Sequence, residues 1–159
     1  MTSEFRAAVT VAALQMTSAA DRDANLATAD RLLGRAAGAG ARIAVLPENF
    51  SFMGVRDAER RAQGESDGDG PVQRFLAERA RTLGLWIVGG TTPIARQPDG
   101  RVAAACLVYD DAGQRVARYD KIHLFDVDVP GKNERYRESS TIEPGRTPVV
   151  LDTPAGRLG

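Results

Sequence analysis

Two side chains in this sequence have the type and setting to move a proton and to face a developing charge, Glu48 and Lys121. Of the 21 lysine and arginine residues only two are lysines, Lys121 and Lys132. Lys121 stands inside the run Arg118-Tyr119-Asp120-Lys121-Ile122-His123-Leu124-Phe125, just ahead of the apolar Ile122, Leu124 and Phe125. An ammonium is a compact charge on a flexible stem and shifts its pKa readily when desolvated, which suits it to chemistry better than a guanidinium. The position also fits a strand-end lysine whose stem covers apolar neighbours while its head reaches water. Glu48 follows Leu46-Pro47 at the end of an apolar run, where open α/β sheets present ligand-binding groups. Neighbouring strands would strip water from its carboxylate and raise its pKa toward that of a base working near neutral pH. A solvated loop acid fits the same position. Paired, the two suit a reaction in which a carboxylate activates a nucleophile and a fixed cation faces the charge on a carbonyl oxygen.

Other reactive residue types offer less. Cys106, the single cysteine, lies in Ala103-Ala104-Ala105-Cys106-Leu107-Val108, where no turn exposes its sulfur, so a buried, inert thiol with a raised pKa is expected. His123 is the one histidine. With no second histidine or cysteine at ligand spacing it reads as a hydrogen-bonded structural residue, and no metal is expected. Asp126 and Asp128 lack a third and fourth oxygen ligand and read as loop caps. Gly89-Gly90 and Pro130-Gly131 lack the strand-to-helix setting of a phosphate loop and read as turns.

The elements that must position Glu48 and Lys121 follow from the apolar periodicity. Ala7 to Leu14 reads as a buried strand. Asp21 or Asp23 caps a helix whose Leu26, Ala29, Leu33 and Ala36 share one face and which ends at Gly38 and Gly40. Arg42 to Leu46 is a second strand, stopped by Pro47, which has no N–H to donate. That order is a β-α-β unit. Asn49 to Asp69 is a Gly- and Asp-rich loop with one helical turn around Asp57 to Arg61, and its length marks it as functional. Pro71 opens a second helix with the stripe Val72, Phe75, Leu76, Ala80 and Leu83, closed by Gly84. A strand at Leu85 to Val88 follows. Turns at Pro98-Asp99-Gly100 and Asp111-Ala112-Gly113 then flank Val102 to Tyr109 and lead into Gln114 to Tyr119, a meander. Asp126 to Arg146 is a second long polar connection, Pro148 to Leu151 a strand, and Thr153-Pro154-Ala155-Gly156 a turn. Arg157-Leu158-Gly159 starts a further strand with nothing after it to pair, so the sequence reads as cut short.

The totals narrow the partners. At 159 residues the chain suffices for one α/β domain. Its formal net charge of +0 supplies no basic field for nucleic acid or an anionic membrane, so a small molecule is the expected partner. One cysteine excludes an internal disulfide framework, and no apolar stretch reaches the roughly 18 residues of a membrane span. The first residues, Met-Thr-Ser-Glu-Phe-Arg, lack the features of a secretory signal, and a cytoplasmic location is expected.

Four blocks carry a resemblance. Leu46-Pro47-Glu48-Asn49-Phe50, the run from Tyr119 to Gly131, Tyr136-Arg137-Glu138-Ser139, and Pro144-Gly145 resemble the nitrilase, or carbon-nitrogen hydrolase, superfamily, and within it the deaminated glutathione amidase and omega-amidase branch. The resemblance runs in order from Ala7 to Gly159 and makes residues 1–159 one domain, incomplete at its C-terminus. It implies the N-terminal part of a four-layer α-β-β-α sandwich and a Glu-Lys-Cys triad without cofactor or metal. Glu48 matches the general base, Lys121 the group that stabilises the oxyanion, and Glu138 a second glutamate that orients the lysine or assists proton transfer. The implied reaction hydrolyses a small linear amide through a cysteine thioester and releases ammonia. The nucleophilic cysteine is expected just beyond Gly159, which would leave these residues inactive alone, and the intact protein is expected to be a homodimer. The alternatives are another branch, such as a carbamoylase, nitrilase or acyltransferase, and a noncatalytic interaction module. The module would have to cover the sheet edges that missing strands leave open.

Overall fold

The computed structural model describes residues 8–54, 57–96, 100–131 and 135–159. Its centre is a five-stranded sheet in sequential order, β1 (Val11–Ala13), β2 (Ile43–Leu46), β3 (Trp86–Ala95), β4 (Val102–Tyr109) and β5 (Arg115–Asp120). The first three strands run parallel and the last two return antiparallel. Helices α1 (Arg22–Gly38) and α3 (Pro71–Leu83) make the crossovers that parallel neighbours require, with a short helix α2 (Asp57–Ala62) between β2 and α3. The β-α-β unit and the meander are both as the sequence implies. Of the expected sandwich, the described residues form one helical layer and one large sheet.

Both long helices lie on one sheet face. Ala29, Leu33, Ala36, Val72, Leu76 and Ala80 meet Ala44, Leu46, Ile87 and Leu107 there, all buried. Asp21 caps α1 by accepting from the Ala24 N–H at 3.0 Å, and Gly84, left-handed at φ 60°, ends α3. Gly70 precedes α3 and offers no side chain to cap it. The buried carboxylate of Glu65 does so instead, accepting from the N–H groups of Val72 at 2.6 Å and Gln73 at 3.2 Å. Negative charge at those unpaired donors also suits the helix dipole.

Several expectations change. The first strand is only three residues long within the described part, and Val11 is 49% exposed. It is an edge strand, and only the face carrying Ala12 meets the helices. On α1 the buried polar residue is Asn25, with Leu26 only half-buried. Gly89 and Gly90 are not a turn; they lie inside β3, at an irregularity in its pairing with β4. The long connection after Asp126 contains a two-stranded ribbon, β6 (Asp126–Asp128) and β7 (Arg135–Arg137), and a 3-10 turn at Glu138–Ser140. The late strand is β8 (Leu151–Thr153) rather than Pro148 to Leu151, and it pairs with β9 (Gly156–Leu158). Pro98, Asp99 and Lys132 lie outside the described residues. On the sheet face away from the helices, Val45, Val88, Cys106 and Val108 line an apolar groove of about 550 Å³ together with Leu151 and Leu158 of the final hairpin.

Candidate active site

Three separate segments meet at one ammonium. Lys121 Nζ donates to Glu48 Oε1 at 2.8 Å and to both oxygens of Glu138, at 3.2 and 3.0 Å. The three residues expected from the sequence are therefore brought together.

Glu48 sits just past β2, where Pro47 halts the ladder and a tight turn begins. The Phe50 N–H bonds the Pro47 carbonyl at 3.3 Å, and Asn49 takes a left-handed φ of 56°, which asparagine tolerates better than most residues. The turn is tied down on both sides. The Asn49 N–H donates to Thr91 Oγ1 at 3.0 Å, and Ser51 and Thr92 share a buried hydroxyl contact of 3.1 Å. Asn25 donates to the carbonyls of Ala19 at 2.8 Å and Ser51 at 3.1 Å, and it accepts from the Ala19 N–H at 3.0 Å. Phe50 is fully buried and anchors the turn from below. The sheet does not strip water from Glu48, however. Its side chain is 51% exposed, because it stands beyond the strand end and not between strands, so the expected desolvation is not realised.

Lys121 follows β5. Its N–H bonds the Ala104 carbonyl at 2.9 Å, and its own carbonyl accepts from the Gly145 N–H at 2.9 Å. The preceding Asp120 is gripped by Arg118 at 2.8 and 3.1 Å and by Arg96. The following Ile122 N–H donates to the Tyr119 hydroxyl at 3.2 Å. Partial burial opposes the positive charge on Lys121. The hydrogen bonds and charges of Glu48 and Glu138 outweigh it and hold the ammonium above the ordinary lysine pKa.

Glu138 opens the 3-10 turn. Its carboxylate accepts from the Phe125 N–H at 2.7 Å while its own N–H donates to the Phe125 carbonyl at 3.3 Å. Asp126 stabilises the same turn by accepting from the Ser139 N–H at 3.0 Å and hydroxyl at 2.6 Å. Asp128 is paired with Arg135 at 2.8 Å and Arg137 at 2.7 Å across the ribbon. His123 is exposed and makes no hydrogen bond among the described residues, so the structural role expected of it is not found. Cys106 faces the apolar groove, and burial pushes its thiol up to about 11. The groove lining includes none of Glu48, Lys121 and Glu138.

Sequence reasoning passed over Arg60. Its Nη1 is 3.8 Å from Glu138 Oε1, and the two side chains are 19% and 10% exposed. Nothing in Asp-Ala-Glu-Arg-Arg-Ala singles it out, since a six-residue helix with four charges does not tell which one turns inward. Gly90, read as part of a turn, and Gly145, part of a block that carries the resemblance, were given no role at the site. A side chain on Gly90 would overlap the Pro47 carbonyl oxygen, and one on Gly145 would overlap that of Asp120, so each glycine buttresses the residue before a site residue.

A helical layer on a mixed sheet, with an ammonium held between two carboxylates beyond its strand ends, defines an α/β protein of nitrilase-superfamily fold. The chain belongs to the carbon-nitrogen hydrolase family, whose sequence profile matches residues 10–159. Deaminated glutathione amidase of Yersinia enterocolitica is 39% identical to it over 150 residues, 94% of this chain and 52% of that protein. Omega-amidase of Danio rerio is 35% identical over 161 residues, 99% of this chain and 53% of that protein. Among solved structures, the C. elegans NitFhit protein superposes with a TM-score of 0.81 at 31% identity, covering 94% of this chain and 36% of that one. The amidase from Nesterenkonia sp. AN1, solved with the result of Michael addition of acrylamide at its active site cysteine, gives 0.71 at 26% identity, covering 89% and 52%. The chain thus spans about half the length of the curated relatives it matches. Among the described residues no helix is long and apolar enough to cross a membrane.

Proposed function

We propose that this chain carries the base and the oxyanion cation of an amidase that cleaves the carbon-nitrogen bond of a small linear amide. The observation that carries this reading is the convergence of Glu48 and Glu138 on Lys121 Nζ, every contact within 3.2 Å. Glu48 takes the proton of a thiol, and the thiolate sulfur attacks the amide carbon. The carbonyl electron pair moves to oxygen, where the Lys121 ammonium faces the new charge. The tetrahedral species collapses, the proton on Glu48 goes to the departing nitrogen, and ammonia leaves a thioester. Water, deprotonated by the same carboxylate, then hydrolyses the thioester to a carboxylic acid and the free thiol. Glu138 orients the lysine throughout. The names of the relatives favour an amide over the substrates of other branches.

Cys106 does not supply the sulfur, since its thiol is raised to about 11 and it faces a groove whose lining excludes the site. We assign the nucleophile to a cysteine shortly after Gly159 and residues 1–159 to the N-terminal part of a carbon-nitrogen hydrolase domain. The experiment compares the 159-residue chain with the chain extended through any coding sequence that follows. The extended form releases ammonia from a small linear amide and shows an acyl adduct in rapid-quench intact mass spectra, and Glu48→Gln abolishes the adduct. Ammonia release by residues 1–159 alone, or an adduct formed at the normal rate in Glu48→Gln, overturns the assignment.

A further inference from the structure

The charges of Glu48, Lys121 and Glu138 do not balance among themselves. Two carboxylates share one ammonium, so Glu48, Lys121 and Glu138 together carry a net negative charge. When an amide carbonyl oxygen becomes an anion on attack, Glu48 has taken the thiol proton, but Glu138 still neutralises the ammonium and leaves no net positive charge to face the new anion. The structure supplies the missing charge from elsewhere. Arg60 reaches from α2 so that its Nη1 lies 3.8 Å from Glu138 Oε1, the oxygen that does not bond the Phe125 N–H. Both side chains are largely withdrawn from water, at 19% and 10% exposure, so this pair is screened less than an exposed one. The next residue, Arg61, is exposed.

We infer that Arg60 is a positioning residue: it serves as the counter-ion of Glu138, fixes that carboxylate between two cations, and leaves the charge of Lys121 available to the oxyanion. The inference rests on the catalytic reading of Lys121. It also gives the long segment between β2 and α3 a task, because α2 is what carries the guanidinium to the site. Glu138 is then held at one oxygen by the Phe125 N–H and at the other by Arg60, with Lys121 bridging both. A guanidinium cannot lose its proton in the working pH range, so this support is constant.

Two measurements test it. In the ammonia-releasing extended form, Arg60→Gln is expected to lower kcat by roughly 10- to 100-fold, the cost of a misplaced catalytic group, while KM stays within about twofold. Arg60→Lys is expected to restore much of the loss, and Arg61→Gln to have no effect. A KM change with kcat preserved would make Arg60 a substrate contact and overturn the inference, as would unchanged kinetics. The second measurement needs no turnover. In the 159-residue chain labelled with isotopic lysine, only Lys121 and Lys132 give signals. Arg60→Gln is expected to shift the Lys121 ammonium resonance and speed its exchange with water, with Lys132 as the internal reference and Arg60→Lys close to wild type. An unmoved Lys121 signal overturns the inference. If the extended wild-type protein releases no ammonia, the functional reading fails, and the lysine spectrum still decides whether Arg60 holds the cluster.

Discussion

Gly90 packs so closely on the carbonyl oxygen of Pro47 that no side chain fits between them, and its φ of 29° lies where L-residues are strained. The peptide it supports leads directly into Glu48. Gly90→Ala is expected to destabilise the protein by about 2–4 kcal/mol through overlap and backbone strain together. Gly145 stands in the same relation to Asp120, ahead of Lys121, without a positive φ. Gly145→Ala is expected to cost about 1–3 kcal/mol. Urea unfolding of both variants measures this, and wild-type midpoints would contradict it.

Asn25 joins the segment before α1 to the turn that carries Glu48, through three hydrogen bonds in a buried setting. Asn25→Ala leaves the Ala19 and Ser51 backbone groups without those partners, at an expected cost of about 2–3 kcal/mol. Hydrogen exchange should show faster exchange at Ala19 and Met53, whose N–H bonds the Ala19 carbonyl at 3.0 Å. Protection equal to wild type would show that the turn is held without Asn25.

Glu65 substitutes for the cap that Gly70 lacks. Glu65→Ala is expected to destabilise the protein by about 2 kcal/mol, and Glu65→Gln by less, since the amide oxygen still accepts from one N–H. Thermal melts distinguish the two. Equal losses in both variants would show that a carboxylate, and not an acceptor as such, is required at the α3 terminus.

Two groups predict a decline in stability on the alkaline side. The Cys106 thiol is pushed up to about 11 by burial, above the unfolded value of about 8.5. The folded state therefore binds its proton more tightly, a contribution present below about pH 8.5 and lost as pH rises through about 11. Lys121 acts in the same sense, since its pKa is raised in the folded state. Its contribution is complete below about pH 10.4 and fades above that. Cys106→Ala is expected to flatten the fall of Tm between about pH 8.5 and 11, and the native thiol to alkylate roughly 100-fold more slowly than free cysteine at pH 8. A Tm profile identical to wild type in Cys106→Ala would contradict the assignment.

Much of this was legible before the structure. The Ala29, Leu33 and Ala36 face of α1, Pro71 at the start of α3, Gly84 at its end and the stop at Pro47 are local rules, and each holds. Glu48 and Lys121 stood out because their chemical type is unusual for where they sit. What local rules could not supply was geometry between distant segments. The exposure of Val11 depends on β1 being an edge strand, and the capping role of Glu65 depends on a bridge to Ile94 of β3. The need for glycine at 90 depends on where Pro47 comes to lie. Arg60 is one of two adjacent arginines in the sequence, and only the fold turns one inward and leaves the other in water. Glu138 came from the family resemblance, since a glutamate beside serines carries no cue of its own.

The central claim is that the ammonium held between Glu48 and Glu138 faces the charge formed on the substrate oxygen. Steady-state ammonia release by Lys121→Met in the extended form tests it most directly. The expected result is a kcat reduced by roughly 10²- to 10³-fold, the cost of a lost oxyanion donor, with the substrate still bound. Turnover at the wild-type rate in Lys121→Met would contradict the account.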